Sequence, residues 1–600
     1  MSATHGPRRA FATRIMRASL ILVSVLAALV AASCGEGNDA QPGANPLPDG
    51  STSGSEGGPG ADGGQQAEPH TPGERFELTT TKYPVPTGGI GLYGFAFRSR
   101  QNGYENERDE FWVLEDMTGD GVPDLVITTV IREVRGTASV DQLYDETFGY
   151  PSAPHWRVHT GSADGFALNY VTWGLPASGG RVGRGYHRAT NQTYVDRAEN
   201  ERGVPNKEGD EAWTLQDMDG DGRPDLVVTG AAAQLDKVGY VFRVFDHDST
   251  PVWKVYRNNG AGFDTTAERW PVPKTPVWNT FAGLAAPSSM MPWDYTTHYW
   301  DLRDIDGDKR PDLVVYATVE KNPDSSYRVR VPGHPTTPHW EVYRNDGHGF
   351  AATPTSWPLP KQRGHGDEGL SGPTRVGIYE GDNAWTLLDM DGDGRQDLVV
   401  SAVRSRTMKA LGYPSESHWE VYRNDGTRFD PVFSKWRLPR GGTSNGGFPE
   451  VASSVASVAG DDVWSTVDID GDSKPDLVVT GEFKDGTKPG IYNLGRSAND
   501  SHWMVYRNGG QGFADEGKRW DLPNNGGLRE VGFITTAGAG AKVGDEGWAL
   551  FDLTGDKQPE LVRLHTSIQD PRRPGIADAT IPQVSGFGAG PHWLVHRNVP

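Results

Sequence analysis

A chain of 600 residues with a formal net charge of −21 presents no basic field to phosphate, so nucleic-acid partners are excluded. Its 77 glycines and 43 prolines fit a turn-rich β protein rather than a helical one. The single cysteine, Cys34, excludes an intrachain disulfide.

The chain opens with Arg8, Arg9, Arg14 and Arg17, followed by an apolar run from Ala18 to Ala32. That run is short for a membrane span and right for the core of a secretory signal. Ala31-Ala32-Ser33 leads into Cys34. The arrangement resembles a bacterial lipoprotein signal, with residues 1–33 removed and Cys34 lipidated; at the third place before the cysteine, Ala31 stands where Leu or Val is usual. Residues 34–75 are rich in Gly, Pro and Ser and too poor in apolar side chains to offset the entropy of ordering. They are expected to form a tether reaching roughly 35 Å.

From Phe76 onward the chain is periodic. A short acidic phrase occurs six times, clearest as Asp217-Met218-Asp219-Gly220-Asp221-Gly222-Arg223-Pro224-Asp225. Oxygen-bearing side chains stand at places 1, 3, 5 and 9. They are Asp116, Thr118, Asp120 and Asp124; Asp217, Asp219, Asp221 and Asp225; Asp304, Asp306, Asp308 and Asp312; Asp389, Asp391, Asp393 and Asp397; Asp468, Asp470, Asp472 and Asp476; and Asp552, Thr554, Asp556 and Glu560. Carboxylates packed this closely repel one another unless a cation lies between them. Hard oxygen donors around a curled backbone suit Ca²⁺, which takes six to eight of them. Up to six structural Ca²⁺ are expected, and much of the acidity is then metal-site chemistry.

A Trp stands four residues before each phrase (Trp112, Trp213, Trp300, Trp385, Trp464, Trp548), and a β-branched run such as Leu226-Val227-Val228 follows it. Next comes a His-Trp-x-Val-Tyr-Arg-Asn strand pattern, as at His339–Asn345, and then an Asn-Gly turn. A Phe lies ten residues beyond the strand Trp, and another Trp seven beyond that. Each unit reads as four antiparallel strands, and the repeat averages about 87 residues. The last unit lacks its fourth strand, while the region begins with one, Phe76 to Pro86. The expected fold is therefore an all-β, six-bladed β-propeller of four-stranded antiparallel blades over 76–600. The N-terminal strand completes the last blade and closes the ring.

The acidic phrases resemble FG-GAP and VCBS-type repeats, found in integrin α-subunit propellers and in many secreted bacterial proteins. The resemblance implies Ca²⁺ held by the four side chains and by the backbone oxygen at place 7, here Val122, Arg223, Arg310, Arg395, Lys474 and Gln558. The repeat is longer than the integrin one, and the Phe-Gly and Gly-Ala-Pro phrases are not evident.

Two kinds of connection, second-to-third and fourth-to-first strand, are long and share one face, where a ligand is expected. His187–Arg202, Met290–Tyr299 and Arg363–Glu380 are the distinctive segments there. The recurring strand His (His155, His339, His418, His502, His592) and Arg (Arg257, Arg344, Arg423, Arg507, Arg597) read as scaffold. Asp109, Asp210, Asp382, Asp461 and Asp545 read either as ties to backbone N–H groups or as a ring of ligands near the axis. The functional expectation is a secreted, lipid-anchored calcium-binding module at a bacterial cell surface, binding a protein or glycan. A polysaccharide lyase or glycoside hydrolase, and a structural envelope protein, are the alternatives. No catalytic residue is assigned; no hydrolase elbow, zinc helix or phosphate loop is present.

Overall fold

The computed structural model describes residues 75–599 apart from 100–107, 135–141, 191–207, 236–238, 275–283, 285–297, 322–326, 367, 445, 451–452, 455–457, 486–488, 496–499, 524–525, 530, 575 and 577–578. The signal, Cys34, the tether, most of His187–Arg202 and most of Met290–Tyr299 lie outside the described residues. Arg75–Pro600 forms one compact unit, and the described residues hold strands and no helix.

The strands fall into six sheets in the arrangement of a β-propeller. The first contains Glu110–Glu115, Asp124–Val134, Gln142–Thr147, His155–His159 and Val171–Gly174. The same order recurs in the others. Each acidic phrase joins the first strand to the second, and in all six sheets the register slips by one residue just before the first-strand Trp, as at Phe111/Trp112. Such a bulge bends the strand and tightens its twist.

The four expected antiparallel strands are present in every sheet, and each sheet adds to them. Four sheets hold five strands, and the other two hold six and eight. The second strand is long enough to overhang the third. In the first sheet, Leu125–Ile127 pair with Arg157–His159, while Thr129–Val134 pair with Gln142–Thr147. The second-to-third connection is thus largely a hairpin, not a free loop. Its β-branched residues continue the ladder and satisfy backbone groups that a loop would leave to water.

The sheets are joined by edge-on aromatic pairs. The third-strand Trp of one sheet meets the Phe of the next: Trp156–Phe263, Trp253–Phe350, Trp340–Phe429 and Trp419–Phe513, with centroids 5.3–5.6 Å apart. Phe76 meets Trp503 at 5.7 Å, and Phe166 of the first sheet meets Trp593 of the last at 5.4 Å. The same six third-strand indoles each donate Nε1–H to a backbone carbonyl of the connection entering the next sheet, at 2.7–2.9 Å. Recurrence of Trp and Phe is therefore the chemistry of inter-sheet packing.

The chain ends pair. Thr81–Pro84 lie antiparallel to His592–His596 with Tyr83 opposite Trp593, and Arg75-Phe76 pair with Asn598-Val599. Tyr83 stacks on Trp593 and meets Phe166 edge-on, buried on all sides. Tyr83→Ala is expected to cost about 3–5 kcal/mol, as for large aromatic truncations, lowering Tm by about 3–4 °C in a thermal melt.

Candidate metal centres

Each acidic loop is built by its own carboxylates. The place-1 Asp accepts the N–H groups of places 4 and 6, as Asp217 does from Gly220 (2.8 Å) and Gly222 (2.9 Å). The place-5 Asp accepts the place-7 N–H, as Asp221 does from Arg223 at 2.9 Å. The place-9 Asp reaches outside the loop. Asp225, Asp312, Asp397 and Asp476 accept the backbone N–H of Asn258, Asn345, Asn424 and Asn508 at 2.7–2.8 Å. That asparagine opens the Asn-Gly turn, so the loop and the turn lie side by side.

Places 4 and 6 both take positive φ, yet only place 4 is invariably Gly. The reason is the neighbouring loop. A Cβ at Gly119, Gly220, Gly307, Gly392, Gly471 or Gly555 would lie 2.5–3.1 Å from the place-7 side chain of the next loop. The last of these contacts, Gly555 to Val122, joins the sixth loop to the first. At place 6 of the Gly-containing loops nothing lies within 4 Å, and Lys309, Ser473 and Lys557 occupy it elsewhere with φ of 69–72°. The strain of a non-Gly left-handed residue is tolerated; a clash with a packed neighbour is not.

In five loops three acidic oxygens converge within 4.8 Å: Asp217/Asp219/Asp225, Asp304/Asp306/Asp308, Asp389/Asp391/Asp393, Asp468/Asp470/Asp476 and Asp552/Asp556/Glu560. The first loop, with Thr118, forms no such group among the described residues. There Asp124 accepts Met117 and Thr118 N–H on one oxygen and Gly161 N–H on the other. Elsewhere donors run short. Oδ2 of Asp312, a residue 0% exposed, is buried and takes no hydrogen bond. A bare buried carboxylate oxygen is costly unless a cation or a proton meets it. Burial, reinforced by the neighbouring acids, pushes the carboxyls of Asp225, Asp312, Asp397 and Asp476 up to about 7, and that of Glu560 likewise. The donor set is all oxygen, which fits a hard divalent ion.

The recurring Arg belongs to this site. Arg257, Arg344, Arg423 and Arg507 pair with the place-3 carboxylates Asp219, Asp306, Asp391 and Asp470. Place 7 adds a second cation, with Arg223, Arg310, Arg395 and Lys474 on the place-5 carboxylates. Four acids and two paired bases leave a formal −2 at the second, fourth and fifth loops, the charge one divalent ion offsets, and Lys309 at place 6 brings the third to −1. The pairing is visible in the sequence: place 7 is basic wherever place 3 is Asp, and neutral (Val122, Gln558) wherever it is Thr.

The other recurring residues resolve as scaffold. The five strand histidines each bond Nδ1 to the backbone oxygen two residues earlier, at 2.7–2.9 Å. The Asp109 set is buried and engaged with backbone. Asp461 accepts Ser444 N–H (2.7 Å) and Val458 N–H (3.2 Å), and Asp545 accepts Arg529 and Lys542 N–H. These carboxylates fasten the connection entering each first strand, which is the first of the two readings above. A repeated Gly-Gly turn that sequence reasoning passed over is held in the same way. Gly89, Gly180, Gly442 and Gly527 donate to Glu110, Glu211, Asp462 and Glu546 at 2.7–2.8 Å. Its signal, two glycines followed by another five residues on, was present at these places.

On these same connections, at the turns those carboxylates hold, stand side chains open to solvent: Val182, Ile378, Tyr379, Val458 and Val543, with Tyr379 66% exposed.

No protein-family model matches the sequence, and no curated protein does. Among solved structures, the chain is similar to one described as the basis of specific recognition of non-reducing terminal N-acetylglucosamine by an Agrocybe aegerita lectin. That match has 16% identity over 87% of this chain and 91% of the other, with a TM-score of 0.35. A Photorhabdus luminescens Tc holotoxin pore matches at 14% identity over 87% of this chain and 19% of its own, with a TM-score of 0.23. The V. cholerae biofilm matrix protein Bap1 matches at 12% identity over 85% and 84%, with a TM-score of 0.14.

Proposed function

We propose that the six sheets act as six blades of one closed, calcium-stapled propeller of the FG-GAP/VCBS type. In this reading the protein is secreted, anchored by a lipid at Cys34 in the bacterial envelope, and works as a glycan-binding module. In each full loop the ion would be held by places 1, 3, 5 and 9 and the place-7 backbone oxygen. The bare buried oxygen of Asp312 supports an ion there. So does the net negative charge left on each fully acidic loop after its internal pairs.

One observation carries the binding role: exposed apolar side chains recur on the connections entering the first strands. Scattered exposed aliphatics are ordinary, but repetition at equivalent turns makes a shared surface. Tyr379 lies within Arg363–Glu380, one of the segments the sequence singles out, and exposed Glu380 follows it. An open phenol ring beside a polar group offers a sugar both a stacking face and a hydrogen bond. The loops opposite would make the scaffold rigid, so that little ordering entropy opposes binding.

A glycan array probed with the full chain tests this. Tyr379→Ala combined with Val458→Ser is expected to weaken retention at least about tenfold, the loss of one aromatic contact of roughly 1.4 kcal/mol, with Tm unchanged. Retention equal to wild type would remove the connection face from the account. Capture of protein but no glycan would favour the protein-binding alternative.

A further inference from the structure

We infer that the acidic loops are coupled in series, so that divalent cations enter them cooperatively. The inference rests on the calcium reading above and goes beyond it, because independent sites would serve equally well as staples. Three contacts join each central loop to the next. Between the second and third, Asn345 donates its backbone N–H to Asp312 of its own loop and its Nδ2–H to the Met218 carbonyl of the preceding loop, at 2.8 and 2.9 Å. Arg257, paired with Asp219, donates Nη2–H to the Gly347 carbonyl of the third sheet's turn at 2.6 Å. Gly220 packs on the Arg310 side chain.

The same three contacts join the third loop to the fourth, through Asn424, Arg344 and Gly307, and the fourth to the fifth, through Asn508, Arg423 and Gly392. An ion that fixes place 9 fixes the asparagine, whose amide holds the second residue of the loop before it. An ion that fixes place 7 fixes the side chain resting on that loop's glycine. Ordering one site therefore lowers the ordering cost of the site before it, which is positive cooperativity without a change of fold. Repulsion between neighbouring ions opposes this weakly, since the acids of each loop offset most of the charge of its own ion. The series is weakest between the sixth loop and the first, where the packing of Gly555 on Val122 and a 3.3 Å bond from Arg597 Nη2–H to the Ala163 carbonyl remain but the amide tie is lost. There Gly161 stands where the other sheets carry the asparagine; it has only a backbone N–H, given to Asp124.

Native mass spectrometry of the full chain, titrated with calcium from a chelated state, reads the coupling directly. At half saturation we expect empty and multiply loaded chains to dominate, with singly loaded chains depleted at least about fivefold below a binomial distribution. Asn345→Ala should restore partly loaded species; Arg344→Gln, a half-exposed position, should do the same if the first variant folds poorly. A binomial ladder in the wild type would overturn the coupling while leaving calcium binding intact. Absence of calcium adducts at any concentration would overturn the calcium reading itself. A distribution unmoved by either variant would overturn the assignment of the tie to these residues.

Discussion

Removing divalent cations is expected to lower the melting temperature by about 12 °C. An ion that binds only the folded loop stabilises it by about 2.7 kcal/mol at a concentration one hundred times its Kd. Five such sites, one for each converging cluster, supply roughly 13 kcal/mol, and a folded unit of this size loses about 1 °C per 1.1 kcal/mol. The effect is large because the loops carry the contacts between sheets. Without ions, the acids around Asp312 and Asp476 face one another across a tight turn, with Arg344 and Arg507 as partial relief. Differential scanning calorimetry in calcium and in chelator checks this. A shift under about 3 °C after verified removal would mean that the internal Arg pairs suffice.

The second large effect is a change in pH dependence on chelation. With no ion, Asp225, Asp312, Asp397 and Asp476 have folded pKa values raised to about 7 by burial, above the unfolded 3.8. The folded state then binds more protons than the unfolded one between those values. The associated stability is full below about pH 4 and is lost as pH rises through 7. Each pKa unit is worth about 1.4 kcal/mol. Halved for relaxation around a buried charge, the four carboxylates move stability by on the order of 8 kcal/mol, or about 7 °C. Bound calcium keeps them ionised and abolishes the term, releasing protons as it binds. Buried histidines act with the opposite sign. Burial depresses His187, His365 and His596 to about 4, so their contribution is lost as pH falls from 6.5 toward 4. Calcium does not touch them, so the loaded-minus-chelated difference isolates the carboxylates. That difference should widen from pH 5 to pH 8; a difference that narrows would contradict the account.

Much of this architecture is legible in residues that repeat. The acidic phrase, the third-strand Trp and the Phe ten residues on recur because each sheet makes the same contact with the next. Periodicity therefore reports the interfaces as well as the strands. The pairing of Thr81–Pro84 with His592–His596 could be read from a unit short by one strand at one end and a lone strand at the other. The extra strand was not legible. Gln142–Thr147, Gly239–Arg243 and Met408–Ala410 share no residue pattern, because they add to the overhang of a second strand through backbone bonds. The invariant glycine of the acidic loop was legible as a residue and not as a reason. Its constraint comes from Arg223, Arg310, Arg395, Lys474, Gln558 or Val122 of the neighbouring loop, about 80 to 105 residues onward for all but the last. The base on each place-5 carboxylate could have been found by asking why place 7 is basic in four loops and neutral in two.

Metal counting decides whether the acidic loops hold divalent ions. Protein dialysed to equilibrium in micromolar calcium and analysed by plasma emission spectrometry should retain at least one ion for each of the five converging clusters. The count should fall when Asp219→Asn, Asp306→Asn and Asp391→Asn are introduced in turn. A chain that retains no calcium, magnesium or manganese while folded and stable would contradict such binding.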